Sequence, residues 1–528
     1  MLSSVDSGSR PRSGARLATW FVMLLFFSIL LRLPSFFIDV IDPDESVFIL
    51  TGQALADGHL PYTLVWEIKP PLGFLFYTAA VLLVPDSLAF VRLCGAILVA
   101  LAGLVVARLA LRLMPARESL LAGFLTVMAM SLLIPSARAV MMEHVALVPL
   151  LGALLLLTTE RRLGPRSFCI GAALGIATLM RTNLAMVPLA VVAALLFWPG
   201  GRRWRDRLAD AVLVAAGGLA AVLLSYLPYA LSGRSDLFLR SVFLAPLAYA
   251  GSGPGWLETA LAMAERALPA LELSLLTSPS DLLRLLLWVL GFGGLLRLAL
   301  DRSAPAQRAA CFWTLVFATA AFASILISSR PWGHYLLQVA PFFALGAAFL
   351  VARPRRRLAG ACALALALLL FAAMPPPSAY SRLVARHQEG LSLYEGRSFA
   401  IADHLRSVSA PEDSLLLTHD ILIYWLSNRY PLVPVAAFPG NLWAVRSILR
   451  PLYGPEASTE AILQQVLCHA PTRIVAPSDP ADQGLAGVEP LRSALSRDYL
   501  REAEVADRLI YRRRSGSVPS PCPFPEPD

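Results

Sequence analysis

The chain has 528 residues, of which 57% are apolar and only 15% charged, with a formal net charge of +9. Soluble globular chains run nearer half apolar and a quarter charged, so this composition excludes an ordinary soluble protein and indicates a polytopic membrane protein. The positive excess does not make nucleic acid a partner: the arginines sit in short clusters between apolar runs, and no basic stripe with interleaved aromatics occurs.

Residues 1–16 read as a basic cytoplasmic N-terminus, with Arg10, Arg12 and Arg16 ahead of the apolar run Leu17 to Phe37. That run continues through Leu31-Arg32-Leu33-Pro34 without a small-residue cleavage site, so a retained first transmembrane helix is expected rather than a signal peptide. A spanning helix needs about 20 apolar residues. Spans are expected near 17–38, 88–113, 118–135, 145–159, 168–182, 184–199, 208–231, 282–300, 310–328, 335–352 and 358–374. The basic clusters are Arg108/Arg112/Arg117, Arg161/Arg162/Arg166, Arg202/Arg203/Arg205/Arg207, Arg297/Arg302/Arg308 and Arg353/Arg355/Arg356/Arg357. With this set of spans each cluster falls in a cytoplasmic loop, as the positive-inside rule requires.

Leu72 to Val84 is apolar but short, and Pro70-Pro71 and Pro85 bound it. Counting it as a crossing would reverse the side of Arg108 to Arg117, so it reads as a short helix at the outer membrane face. The expectation is a transmembrane domain over 17–374 with about eleven crossings. Its outer loops include 39–87 and 232–281, the latter with the flexible stretch Gly251-Ser252-Gly253-Pro254-Gly255, suited to a mobile gate.

After Met374-Pro375-Pro376-Pro377, strand-length runs at 414–419 and 473–477 alternate with amphipathic helical stretches at 396–409 and 457–468. Residues 375–514 therefore read as a small α/β domain outside the membrane, followed by a Pro/Ser-rich tail, 515–528, expected to be disordered. Cys94, Cys169, Cys311 and Cys362 lie in apolar runs and read as small core residues; Cys468 and Cys522 are free to pair if the C-terminal part is extracytoplasmic. No CxxC or metal-ligand spacing occurs, and there is no internal repeat.

This topology puts Asp42, Asp44, Glu45 and Lys69 in the first outer loop and Glu143-His144 at the mouth of a helix in the next. The turn Arg181-Thr182-Asn183 and the run Arg330-Pro331-Trp332-Gly333-His334-Tyr335 fall on the same face. Asp42-x-Asp44 matches the metal-diphosphate motif of nucleotide-sugar transferases, but it follows a transmembrane helix on a face where such sugars are absent. Helix capping accounts for one of the acids, with Asp44 as cap of a helix from Glu45 to Asp57. The others remain as carboxylates able to accept a hydroxyl proton. Lys69 either snorkels to headgroups or meets a phosphate at the lipid boundary. Arg181, between apolar helices, requires an anion, either Glu143 or a ligand phosphate. His334 and Tyr335 serve as an interfacial anchor or join Arg330 at that phosphate. Tyr424, Trp425 and Trp443 suit core packing better than sugar stacking.

The stretch "DPDESVFILTGQALADGHLPYTLVWEIKPPLGFLFY" resembles the first-loop signature of the GT-C glycosyltransferases. It is most similar to the bacterial protein-mannosyltransferase-like group, glycosyltransferase family 39, which includes the aminoarabinose transferases of lipid A. Asp44-Glu45 match the family's acidic pair. Gly58, Pro61, Tyr62, Trp66, Lys69, Pro70, Pro71 and Leu72 match its G-x-x-P-Y-x-x-x-W-x-x-K-P-P-L run. Glu143 resembles the second-loop acid, which is Asp in many members, and "RPWGHYLLQVAPFFAL" resembles an H-Y-x-x-Q-x-x-P segment. The resemblance implies inverting transfer of a sugar from a polyprenyl-phosphate donor, at the bacterial inner membrane, to an extracytoplasmic glycan, lipid or protein. It implies Asp44 as general base with Glu45 beside it, Glu143 positioning acceptor or sugar, and Lys69 near the donor phosphate; Asp42 and His144 are added as positioning residues. Arg181, Arg330 and His334 are added to that phosphate site. A divalent ion, if one is used, would fall to Asp44 and Glu143; no other cofactor is implied.

Two other readings fit the composition. A surface-polysaccharide ligase or polymerase would use a polyprenyl-diphosphate donor. A transporter or flippase would place its ionisable groups near the bilayer midplane rather than in an outer loop.

Overall fold

The computed structural model describes residues 10–158, 164–197, 203–267, 279–300, 305–352, 375–443, 446–477, 487–517 and 521–524. They divide into two compact units that the chain enters alternately: 1–36, 92–221 and 255–381 in the first, 37–91, 222–254 and 382–528 in the second.

The first unit is helical. Among its helices are Arg10–Arg32, Ala116–Leu132, Met142–Leu157, Arg166–Thr178, Met186–Phe197, Pro279–Leu300, Pro305–Ile327 and Ala340–Ala352. Helices Leu88–Ala110 and Trp204–Leu231 lie in it for most of their length. The expected spans from 17–38 to 335–352 each coincide with one of these, and 358–374 lies outside the described residues. By length and composition, four helices among the described residues can cross a membrane: Gly14–Phe37, Leu88–Ala110, Trp204–Leu231 and Gln307–Ile327. Others are apolar but of only 10–17 residues, among them Met142–Leu157 and Arg166–Thr178.

Because lipid is as apolar as the side chains, helices in such a protein associate by close packing at small residues. A Cβ on Gly171 would come 1.9 Å from the Val214 carbonyl oxygen, so Arg166–Thr178 and Trp204–Leu231 touch backbone to backbone. A Cβ on Gly294 would meet the Gly346 oxygen at 1.8 Å, the same device between Pro279–Leu300 and Ala340–Ala352. Two buried arginines tie chain ends that a helix cannot satisfy. Arg32 donates to the carbonyl oxygens of Ala137 (2.5 Å), Arg138 (3.0 Å) and Ala139 (3.1 Å), and Arg92 to that of Ser35 (2.5 Å). Cys311 is buried as expected, but Cys169 is exposed, because an apolar run in lipid has an outward face as well as an inward one. Cys362 lies outside the described residues.

The second unit gathers the first loop, the stretch after Val222 and the C-terminal region into one body. The C-terminal sheet has order β1-β2-β4-β3, with β1 Leu415–Leu417, β2 Arg473–Ala476, β3 Tyr499–Val505 and β4 Arg508–Arg513. β1 and β2 pair in parallel, Leu416 opposite Ile474, and both strands are buried throughout. β4 returns antiparallel to both neighbours, Ile474 opposite Tyr511. The turn Ala506-Asp507 has φ of 48° and 62°, the primed geometry a two-residue hairpin needs. Tyr424 and Trp425 are buried in this core, the Tyr424 hydroxyl accepting from the Leu417 amide at 3.0 Å.

The Gly/Ser-rich stretch expected as a flexible gate is a short turn between helices Ala245–Gly251 and Trp256–Ala267, where the Ser252 and Ser447 hydroxyls bond at 2.8 Å. In the tail, Cys522 is disulfide-bonded to Cys468 and the Phe524 amide donates to Gln465 at 3.0 Å.

Candidate active site

In the second unit the site begins at the helix Pro43–Ala56. Its cap is Asp42, whose carboxylate accepts from the Asp44 amide at 3.0 Å, and not Asp44 as expected. The reason is Pro43, which lacks an N–H and suits the first helical position, so the cap falls one residue before it. Asp44 and Glu45 then stand in the first turn, where the helix dipole favours negative charge, and both are buried.

Asp44 is therefore available to a side chain, and Lys69 meets it at 2.9 Å. The same ammonium contacts Glu67 at 2.7 Å and lies 5.1 Å from the centre of the Phe48 ring. The motif residues hold Lys69 in place. Gly58, at φ 90°, ends the turn after the helix in a conformation glycine adopts without strain. Tyr62 donates its hydroxyl to the Lys69 carbonyl at 2.8 Å, and burial pushes its phenol well above the ordinary range. Trp66 donates its amide to Pro434 (2.9 Å) and its indole N–H to Ser241 (3.0 Å). Asp39 accepts from the Ser398 amide at 3.0 Å, and Asp57 from the Tyr430 hydroxyl at 2.5 Å.

Glu67 was no candidate in the sequence, although it stands two residues before Lys69 in the quoted motif. It is 1% exposed. Burial pushes its carboxyl up, Lys69 pulls it back down, and the neighbouring Asp44 charge pushes it up again.

The first unit holds a second constellation. Glu143, in the first turn of Met142–Leu157, is fully buried and pairs with Arg181 at 2.8 Å. The Arg181 guanidinium stacks on Tyr335, 4.4 Å from its ring centre. Asn183, beside Arg181 in the turn, donates to Gln338 at 3.2 Å, and Gln338 accepts from Ser324 at 2.9 Å. His144 has both ring nitrogens on main chain: Nδ1 accepts from the Met141 amide (3.0 Å) and Nε2 lies 2.8 Å from the Met130 oxygen. A ring so held fixes the start of the Glu143 helix. His334 meets Tyr335 edge-on at 4.9 Å, and Arg330 is half-buried. The candidates thus form two groups, Asp42, Asp44, Glu45 and Lys69 in one unit and Glu143, His144, Arg181, Arg330 and His334 in the other.

Residues 68–227 match the family model described as dolichyl-phosphate-mannose-protein mannosyltransferase. No curated protein matches the chain by sequence. Among solved structures the chain is similar to apo ArnT from Cupriavidus metallidurans at 14% identity and a TM-score of 0.59, covering 96% of this chain and 98% of that one. It is similar to the same protein bound to undecaprenyl phosphate, with 14% identity, a TM-score of 0.59 and coverage of 95% and 98%. The oligosaccharyltransferase of Archaeoglobus fulgidus in its apo form is 15% identical, with a TM-score of 0.51 over 95% of this chain and 75% of that one. The chain has the GT-C glycosyltransferase fold.

The four helices among the described residues that are long and apolar enough to cross a membrane are consistent with a multi-pass membrane protein. Cys468, His469 and Cys522 bring ligand atoms within 4.8 Å of one another, the one such group among the described residues. They do not fit a metal ion: the two cysteines are joined in a disulfide, and a metal takes the thiolate.

Proposed function

We propose that the chain transfers a sugar from a polyprenyl-phosphate donor to an extracytoplasmic glycan, lipid or protein acceptor, with inversion at the anomeric carbon. The observation that carries this is the part-buried contact of Asp44 with Lys69, within a loop whose end opens the mannosyltransferase match. The GT-C fold, and undecaprenyl phosphate in one similar structure, support a lipid-linked donor.

In this reading Asp44 accepts the proton of the acceptor hydroxyl as its oxygen attacks the anomeric carbon. The bond from that carbon to the phosphate oxygen breaks on the opposite face, and the electron pair leaves with the polyprenyl phosphate. The leaving phosphate gains charge through the transition state, and Lys69, held by Tyr62 and Pro70, is the cation that stabilises it. Glu45 and Asp42 shape the helix start behind Asp44. Within the first unit, Glu143 and Arg181 form a separate buried ion pair.

The proposal includes an orientation at the bacterial inner membrane, with about eleven crossings over 17–374 and the α/β domain 375–514 on the periplasmic side. The Cys468–Cys522 disulfide supports it, because disulfides persist in oxidising compartments and are rare in the cytosol.

The test is Asp44→Asn in purified protein reconstituted with membranes of its own bacterium, following release of polyprenyl phosphate from its sugar ester. Loss of a general base is worth about 10²–10⁴ in rate. Undiminished turnover refutes Asp44 as the base.

A further inference from the structure

Lys69 is unusual for a phosphate-binding lysine in contacting two carboxylates, at 2.9 Å and 2.7 Å. Asp44 has a task as base in the reading above. Glu67 has none in that reading: it is 1% exposed, with a carboxylate oxygen 2.7 Å from the Lys69 ammonium. A buried negative charge against the cation that receives a phosphate opposes binding of that phosphate. Its retention needs a compensating gain, and the charges of the reaction supply one.

The donor is a phosphodiester carrying a single negative charge. Its leaving group is a phosphate monoester, whose second ionisation lies near pH 6, so at neutral pH it carries about −1.5 to −2. A bare lysine therefore holds the product more tightly than the donor, which slows turnover whenever product release is limiting. A fixed carboxylate beside the lysine penalises the more highly charged species more.

We propose that Glu67 is a product-release residue: its carboxylate, fixed on the Lys69 ammonium, holds that side chain in place and lowers the site's preference for departing polyprenyl phosphate over incoming donor. Glu67 touches no reacting atom and acts only through Lys69, so it is a positioning residue. The charged and titratable groups facing it are Lys69 and Asp44, with the Tyr62 phenol beyond. This inference rests on the reading of Lys69 as the phosphate cation.

The experiment measures binding of undecaprenyl phosphate to the full chain in nanodiscs of neutral lipid. Glu67→Gln removes the charge at constant shape and is expected to bind about tenfold tighter, the scale of one charge at contact range in a partly screened site. Its turnover is expected to fall with a burst in the first cycle. Glu67→Ala, which removes the charge with a different shape, should tighten binding in the same direction. Glu67→Asp, which keeps the charge, should stay near the parent value. Unchanged or weaker binding in both charge-removing variants overturns the role of Glu67, since a merely structural residue would weaken binding on removal. Lys69→Ala run in parallel separates the two claims. If that variant binds undecaprenyl phosphate as well as the parent does, the phosphate role of Lys69 fails. If it binds weakly while Glu67→Gln does not tighten, only the product-release role fails.

Discussion

Substituting Glu143 by Gln tests the second constellation by its energetics. The Glu143 and Arg181 side chains are 0% and 5% exposed, with carboxylate and guanidinium 2.8 Å apart. An exposed pair at this distance is worth about 0–1 kcal/mol, whereas breaking a buried pair at one end costs about 3–5 kcal/mol, because the remaining charge is left without its counterion. Glu143→Gln should therefore lose about 3–5 kcal/mol, a large part of a stability that is commonly about 5–15 kcal/mol. The double variant Glu143→Leu with Arg181→Met replaces the pair by apolar groups of similar volume and should recover most of that loss. Unfolding followed in detergent micelles, with both single variants and the double, completes the cycle. A loss below about 1 kcal/mol for Glu143→Gln would show the pair to be solvated and refute the buried reading. A double variant as unstable as the worse single one would refute the charge argument and leave packing as the cause.

Two further outcomes follow from local geometry. Asp42→Ala removes the side-chain cap of the Pro43–Ala56 helix and should cost about 0.5–2 kcal/mol, with turnover reduced through misplacement of Asp44 and restored by Asp42→Asn, another good cap. Cys468→Ser opens a disulfide whose ends are 54 residues apart and should destabilise the C-terminal region by about 2–4 kcal/mol, read by protease sensitivity in oxidising conditions and absent when parent and variant are compared under reductant.

The regular parts of this molecule were legible from local pattern. Apolar runs became helices from Arg10–Arg32 to Ala340–Ala352, and β1, β2 and the helices Arg397–Val408 and Thr459–Cys468 stand where strand and helix patterns placed them. The hairpin β3–β4 did not show itself, since Tyr499–Val505 has a mostly exposed face and its turn uses Ala506-Asp507 rather than a glycine. Gly58, Trp66, Lys69 and Pro70 were legible as a motif, but what each does was not.

By itself the sequence determined that the chain is built largely of apolar helices, which residue types crowd its first loop, and that Arg181 needs an anion, because hydropathy, composition and the cost of a bare charge act locally. Only the tertiary structure decided the partners: Arg181 on Glu143 across 38 positions (181 less 143), Lys69 shared between Asp44 and Glu67, and Asp42 in place of Asp44 as the cap. A charge in a buried setting must be neutralised by whatever the fold brings within about 4 Å, and that choice depends on helix packing and loop path, which no stretch of sequence states alone.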